Sequence, residues 1–240
     1  MTETMKGKGK FYIVDESILP EAILKTAQVK EFLAKYDSSI YEKPSVAVDV
    51  ALFTIRDGQL QILLIRRSDH PHLGKLSLPG VFVGMEETLD AAAARALQQK
   101  TGLEDIFLEQ LYTWGEVQRD PRMRIISVSY FALVDNNRIA LTEDGAQFYP
   151  VDEILEMAEE LAFDHHRIIA CGRERIRTKV NWSDIAFALM PEEFTLPQLQ
   201  TVYEILLGQK LYKANFRKKL QEKIVETDKM VTRYHLFTSL

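Results

Sequence analysis

From residue 45 to residue 150 the apolar side chains follow the short period of β-strands, and from Val151 onward they follow the longer period of helices. A chain that changes period once, part-way along, is an α+β domain followed by a separate helical module. The first stretch opens after Pro44 with residues 45–55, dense in Val, Leu and Phe. Asp57-Gly58 then turns the chain back into residues 60–65. Further strands are predicted over 78–83, 107–114, 124–134 and 147–150. One alanine-rich helix interrupts them from about Thr88 to Thr101, with Leu89, Ala93, Ala96 and Leu97 on one face and Gly102 as its stop.

The second stretch reads as an acidic helix over 152–161, then a helix capped by Asp164 with the stripe Ile169, Arg173, Ile176 and Val180. A short helix over 183–190 ends at Pro191. Thr195 followed by Leu196-Pro197-Gln198-Leu199 is a helix start with proline in its first turn, and Leu199, Val202, Tyr203 and Leu206 form its buried face up to Gly208. After a three-residue turn comes a helix over 212–224, with Phe216, Leu220 and Ile224 turned inward. Two strand-like runs close the chain, at 224–225 and 230–237, with Thr227-Asp228-Lys229 between them. A leading helix within 16–36 carries Ile18, Ile23, Leu24, Ala27, Phe32 and Leu33.

Charge divides the same way. The chain has 30 basic and 35 acidic residues: 17 and 27 up to Asp164, then 13 and 8 from His165 to Leu240. An acidic body with a basic tail points to a polyanionic partner for the tail, the alternative being a solvated basic face. The lone cysteine, Cys171, makes no internal disulfide and no cysteine-based zinc site, and His165 and His166 read as helix N-terminal residues with no ligand set around them. No apolar run of about 18 residues occurs, and no apolar core with a cleavage site follows the basic start. A cytoplasmic protein with no membrane partner is expected.

Between strand and helix, Leu78-Pro79-Gly80-Val81-Phe82-Val83-Gly84-Met85-Glu86-Glu87, Arg95 and Thr101-Gly102-Leu103 resemble the Nudix box, G-x5-E-x7-R-E-U-x-E-E-x-G-U with U aliphatic. Aligned on Gly102, Val81 takes the opening glycine, Glu87 the first acid and Arg95 the arginine. Ala96, Gln99 and Lys100 stand where three glutamates hold Mg²⁺ in Nudix enzymes. Alanine cannot ligate a metal, glutamine is a weak neutral donor and lysine repels one. The box therefore keeps its frame and loses its chemistry: no catalytic residue, metal ligand or cofactor is expected. Glu86 and Glu87 then serve as helix N-terminal charges, and Arg95 as a structural link to the loop. The alternative is an active hydrolase of ADP-ribose or a related nucleoside diphosphate derivative, holding Mg²⁺ through Glu86, Glu87 or Glu116.

A fold of this kind without catalysis still offers a binding site. Arg66 and Arg67 end one strand, and Arg119, Arg122 and Arg124 precede another; arginine forks suit diphosphates. Phe82, Tyr112 and Trp114 are candidates to stack on a base. The bland alternatives are solvated arginines at strand ends and aromatics in the core. The segments Ser45-Val46-Ala47-Val48-Asp49-Val50, Leu63-Leu64-Ile65-Arg66-Arg67, the box, Glu109-Gln110-Leu111-Tyr112-Thr113-Trp114 and Arg119-Asp120-Pro121-Arg122 resemble the Nudix-related transcriptional regulators, NrtR. So do Leu161-Ala162-Phe163-Asp164-His165, Phe194 to Gln200, Tyr203-Glu204, Leu207-Gly208 and Asn215-Phe216-Arg217-Lys218-Lys219 in the tail. Tyr212 departs from the acidic helix cap expected in that family. The resemblance covers about residues 44–236.

It implies a Nudix-like α/β/α sandwich with a mixed sheet, followed by a winged helix-turn-helix: residues 1–40 an N-terminal helical extension, 41–160 the ligand domain, 161–240 the DNA-binding domain. It further implies a bacterial repressor of NAD-metabolism genes that senses ADP-ribose, as effector and not cofactor, through Arg66, Arg67, Phe82, Trp114, Arg119, Arg122 and Arg124. A homodimer would present two recognition helices to a double-stranded palindromic operator. From periodicity, Ala214, Asn215, Lys218 and Gln221 point away from the buried face, with Lys213, Arg217 and Lys219 beside them. On the terminal hairpin Lys229, Arg233 and His235 are the candidate phosphate contacts. A ligand-binding scaffold whose basic tail meets a protein is the remaining rival.

Overall fold

The computed structural model describes residues 27–142, 145–221, 223–231 and 234–239. The chain divides into two units at Lys43/Pro44. In the first, helix α1 spans Ala27–Lys35, inside the predicted leading helix. The remainder of that prediction, with Ile18, Ile23 and Leu24, lies outside the described residues.

In the second unit, strand β1 (Ser45–Arg56) is the axis of a seven-stranded mixed sheet. It pairs in parallel with β6 (Ile125–Leu133) and antiparallel with β2 (Gln59–Arg66) and β4 (Gly80–Phe82). Outside these lie β3 (Leu76–Ser77) and β7 (Ala146–Pro150) on β2, and β5 (Glu109–Trp114) on β6. Asp57 and Gly58 both have positive φ, 51° and 74°, which matches the twist a two-residue hairpin needs. The predicted strand 78–83 is shorter, with β4 covering 80–82 on β1; β3, just before it, pairs with β2, and the chain changes partner at Leu78-Pro79, where proline has no N–H for a ladder.

β1 is apolar on both sides because both faces are covered. Val48, Val50 and Leu52 meet Ala92, Ala93, Ala96 and Leu97 of α2 (Leu89–Thr101) in one cluster. Thr88 caps α2 by accepting from the Ala91 N–H, and Gly102, at φ 65°, ends it as predicted. Ala51 and Phe53 face the opposite cluster, with Ile168, Ile169 and Ile176 of α4 (His165–Lys179). The acidic helix stops early, as α3 (Val151–Glu156) and a 3-10 turn over Ala158–Glu160.

α4 lies close to the sheet because Gly172 has no side chain. A Cβ there would stand 2.9 Å from the buried Phe53 ring. Gly172→Ala should therefore destabilise the fold by about 1–3 kcal/mol, although alanine is the better helix former. An unchanged or raised urea midpoint would show that the contact relaxes freely.

The tail forms a winged helix. Helix α5 (Leu196–Leu207) begins with a capping box between Thr195 and Gln198 and ends at Gly208, φ 69°. Helix α6 (Lys213–Leu220) follows, then β9 (Ile224–Val231) and β10 (Tyr234–Ser239), with β8 (Phe194–Thr195) on the far edge of β10. Two expectations are corrected. α6 stops at Leu220, since Ile224 is taken into β9 opposite Ser239, and Thr227-Asp228-Lys229 lie within β9 instead of between two strands. Leu199, Tyr203, Phe216 and Leu220 share the hydrophobic cluster that holds Phe53 and Ile169, so the sheet and the winged helix have one continuous core. No helix among the described residues is long and apolar enough to cross a membrane.

Candidate functional site

A cleft of about 280 Å³ opens beside β1 and β4. At its floor Asp49, the one acid of β1, is only 7% exposed and accepts from Ser127 Oγ of β6. Its ladder partner is Gly80, where a Cβ would come within 2.4 Å of Asp49 Oδ1 and 2.9 Å of Val48 O, so only glycine lets β4 pass the carboxylate. His165, at the start of α4, is 3% exposed. Its Nδ1 accepts from the Leu78 N–H at 2.9 Å, which leaves Nε2 protonated and 3.6 Å from Asp49 Oδ1.

Burial pushes the His165 imidazole below its ordinary pKa, against the upward pull of Asp49 and Asp164. The unfolded chain takes up this proton near pH 6.5, while the folded chain resists it. Its stability contribution is thus full above about pH 6.5 and is lost as pH falls below that value. The urea midpoint should drop between pH 7 and pH 5.5, and drop less in His165→Asn, which keeps an acceptor for Leu78. An identical drop in both would assign the acid sensitivity to other groups.

Four arginines reach the cleft, in two classes. Arg119 is bidentate to Asp164, Nε–Oδ2 3.0 Å and Nη2–Oδ1 2.6 Å, and lies 3.5 Å from Asp49. Burial opposes its charge, but Asp164 and Asp49 outweigh it and raise the pKa. Arg122 is bidentate to Asp120 at 3.0 and 2.8 Å, with its guanidinium 5.7 Å from the Phe82 ring. Arg66 and Arg67, by contrast, donate to carbonyls: Arg66 to Gly74 O, Arg67 to Pro71 O and Asp69 O. Arg67 also sits 5.0 Å over the Phe163 ring, and burial with the charge of Arg122 lowers its pKa. Two guanidinium groups without a carboxylate partner, beside two that have one, leave a net positive mouth suited to a diphosphate.

Of the seven predicted ligand residues, Arg66, Arg67, Phe82, Arg119 and Arg122 line this cleft. Trp114 does not: its indole N–H donates to Ser129 Oγ in the sheet, and Arg167 covers its ring at 5.3 Å. Arg124 instead braces a loop through the Gly115 and Glu116 carbonyls. Sequence reading missed Asp49, Asp120, Phe163 and His165, all in the cleft wall. A single acid in an apolar strand was a readable signal for Asp49; Phe163 and His165, more than 80 residues beyond Phe82 and about 40 beyond Arg122, arrive by packing alone.

At the box, Glu87 is engaged by Arg95 at 3.1 and 2.5 Å and by the Gly84 N–H at 2.6 Å, while Arg95 also holds Phe82 O. The arginine is the loop link expected. Ala96 is fully buried against the sheet.

The second surface is α6. Phe216 and Leu220 are buried, the Phe216 ring 5.1 Å from Tyr203, and Lys213, Ala214, Asn215, Arg217 and Lys218 are exposed, as is Gln221 beyond its end. The helix contains no acid. Tyr212 occupies the cap position and makes no capping hydrogen bond. Lys229 pairs with Glu193 at 2.7 Å; Arg233 and the His235 side chain are outside the described residues.

Comparison with known proteins finds a family for each domain. The NUDIX domain family matches residues 45–170, and the NrtR DNA-binding winged helix domain matches 186–235. An Acinetobacter baylyi protein named ADPR responsive transcriptional repressor NtrR is 40% identical over 205 residues, covering 82% of this chain and 81% of that protein. The crystal structure of Shewanella oneidensis NrtR with a 27mer DNA superposes with a TM-score of 0.73 at 34% identity, over 81% of this chain and 93% of that one. The NUDIX domain of the same regulator, crystallised with ADP ribose, gives 0.55 at 36% identity, over 61% and 97%. The chain belongs to the NrtR family, a Nudix domain joined to a DNA-binding winged helix domain.

Proposed function

We propose that this protein is an ADP-ribose-responsive transcriptional repressor of NAD-metabolism genes in the bacterial cytoplasm. The observation that carries the reading is one hydrophobic core joining an arginine-lined cleft to a helix-turn-helix whose exposed helix is basic and free of acid. In this reading residues 41–160, joined by Phe163 and His165 from the start of the 161–240 segment, bind the ligand, and the winged helix within 161–240 binds DNA. A homodimer places two copies of α6 on a palindromic operator, about one helical turn apart. Ala214, Asn215, Lys218 and Gln221 face base edges; Lys213, Arg217, Lys229, Arg233 and His235 face phosphates. ADP-ribose binds more tightly to the form that has left DNA, so each ligand weakens the other by the same factor.

The Nudix domain senses and does not cleave. The residues present do not fit the divalent cation that Nudix hydrolysis requires: Glu87 is held by Arg95 and Gly84, Ala96 is in the core, and Lys100 lines the cleft with a positive charge. Incubation with ADP-ribose and Mg²⁺ should return the nucleotide intact. Release of AMP and ribose 5-phosphate, abolished in Glu87→Gln, would establish the hydrolase instead.

A further inference from the structure

We propose that the Arg119–Asp164 ion pair is the contact through which ligand in the cleft releases the winged helix from DNA; the proposal rests on the ADP-ribose-responsive reading. Asp164 holds the cap position of α4, yet its carboxylate caps nothing: both oxygens bind Arg119. Its neighbours are also tied to the cleft. Phe163, in the left-handed region at φ 53°, lies under Arg67, and His165 meets Leu78 and Asp49. Three successive residues at the helix start thus grip the ligand cleft, and the strained one carries the ring on which an anion-binding arginine rests.

The far end of α4 supports the reading head. Ile176 and Val180 share a cluster with Leu199 and Tyr203 of α5. Arg177 lies over the helix-turn-helix corner, where a Cβ on Gly208 would stand 3.1 Å from its Nη2. α4 is also pinned to the sheet, near its middle by Gly172 on Phe53 and in its last turns by Arg175 and Lys179 on Glu109. A 15-residue helix is about 22 Å long and stiff, so a change of seat at one end is felt at the other.

Phosphate oxygens entering the cleft compete with Asp164 for the Arg119 fork. Loss of the pair frees the first turn of α4, and the helix reseats on the contacts of its middle and last turns, where it also meets α5. Asp164 is therefore a positioning residue for the DNA-competent arrangement; it does not line the ligand cleft itself.

Asp164→Asn and Asp164→Ser test this, because both residues are good helix caps and Arg119 keeps Asp49 nearby. Operator and ADP-ribose affinities are measured for full-length wild type and both variants, each with and without the other ligand. The expected result is that the variants bind operator, without ADP-ribose, as weakly as liganded wild type does. They should bind ADP-ribose tighter than wild type, and the two ligands should shift each other's affinity less than 3-fold. A merely structural role for Asp164 predicts weaker ADP-ribose binding, which overturns the latch. So do variants that match wild-type operator affinity and still respond to ligand. Wild type that itself shows no mutual effect overturns the latch and the repressor reading together.

Discussion

Reversing the charge of α6, with Arg217→Glu and Lys218→Glu together, should weaken operator binding at least 100-fold and leave ADP-ribose binding within 2-fold, on contacts worth about 1–3 kcal/mol each. Both side chains are exposed on a helix whose buried face is Phe216 and Leu220, so the fold does not need them. Lys218→Ala alone should cost roughly 10-fold and shallow the salt dependence by about one unit if the contact is to phosphate. If it contacts a base edge, the loss depends on sequence and the salt slope stays. Equal loss of ligand binding in the double variant would indicate misfolding. Unchanged DNA binding would remove α6 from the interface and favour a protein partner for the basic tail.

Removal of the unpaired guanidinium groups carries the second large effect. Arg67→Ala should weaken ADP-ribose about 10- to 100-fold, since a hydrogen bond to a charged group contributes roughly 1.5–3 kcal/mol. Arg66→Ala should act in the same direction, and DNA binding should be spared in both. Arg67 is the more informative because its removal also uncovers the Phe163 ring. Arg124→Ala is the control: that side chain braces Gly115 and Glu116 outside the cleft and should leave affinity within a few-fold. Isothermal titration at fixed salt reads all three. If Arg66→Ala and Arg67→Ala bind normally while Arg124→Ala does not, the ligand lies elsewhere.

The parts of this molecule legible in the sequence are those that local chemistry dictates. The α2 boundaries follow from Thr88 and Gly102, the α5 entry from the Thr195–Gln198 box, and the β1–β2 hairpin from Asp57-Gly58. Where long-range pairing decides, local reading fell short. The run 76–83 changes partner from β2 to β1 part-way along, which the predicted strand 78–83 does not show, and Ile224 has a helical period but is claimed by β10. The cleft shows the same limit. Arginines at strand ends announce an anion site, and five of the seven named residues line one cleft together. Which arginines are free to take a ligand depends on where Asp120 and Asp164 lie, and Asp164 is 45 residues from its partner. Asp164 itself looks like a helix cap in sequence, and the fold gives its carboxylate other work.

The central claim is that one chain reads DNA and answers to intact ADP-ribose. Fluorescence anisotropy of the full-length protein on duplex DNA from upstream of NAD-biosynthesis genes, at fixed salt, with and without ADP-ribose, tests it most directly when the nucleotide is recovered and analysed afterwards. Sequence-selective binding that ADP-ribose weakens at least 10-fold, with the nucleotide recovered uncleaved, is the expected result. Binding that ADP-ribose leaves unchanged, or relief that appears only as AMP accumulates, would contradict it.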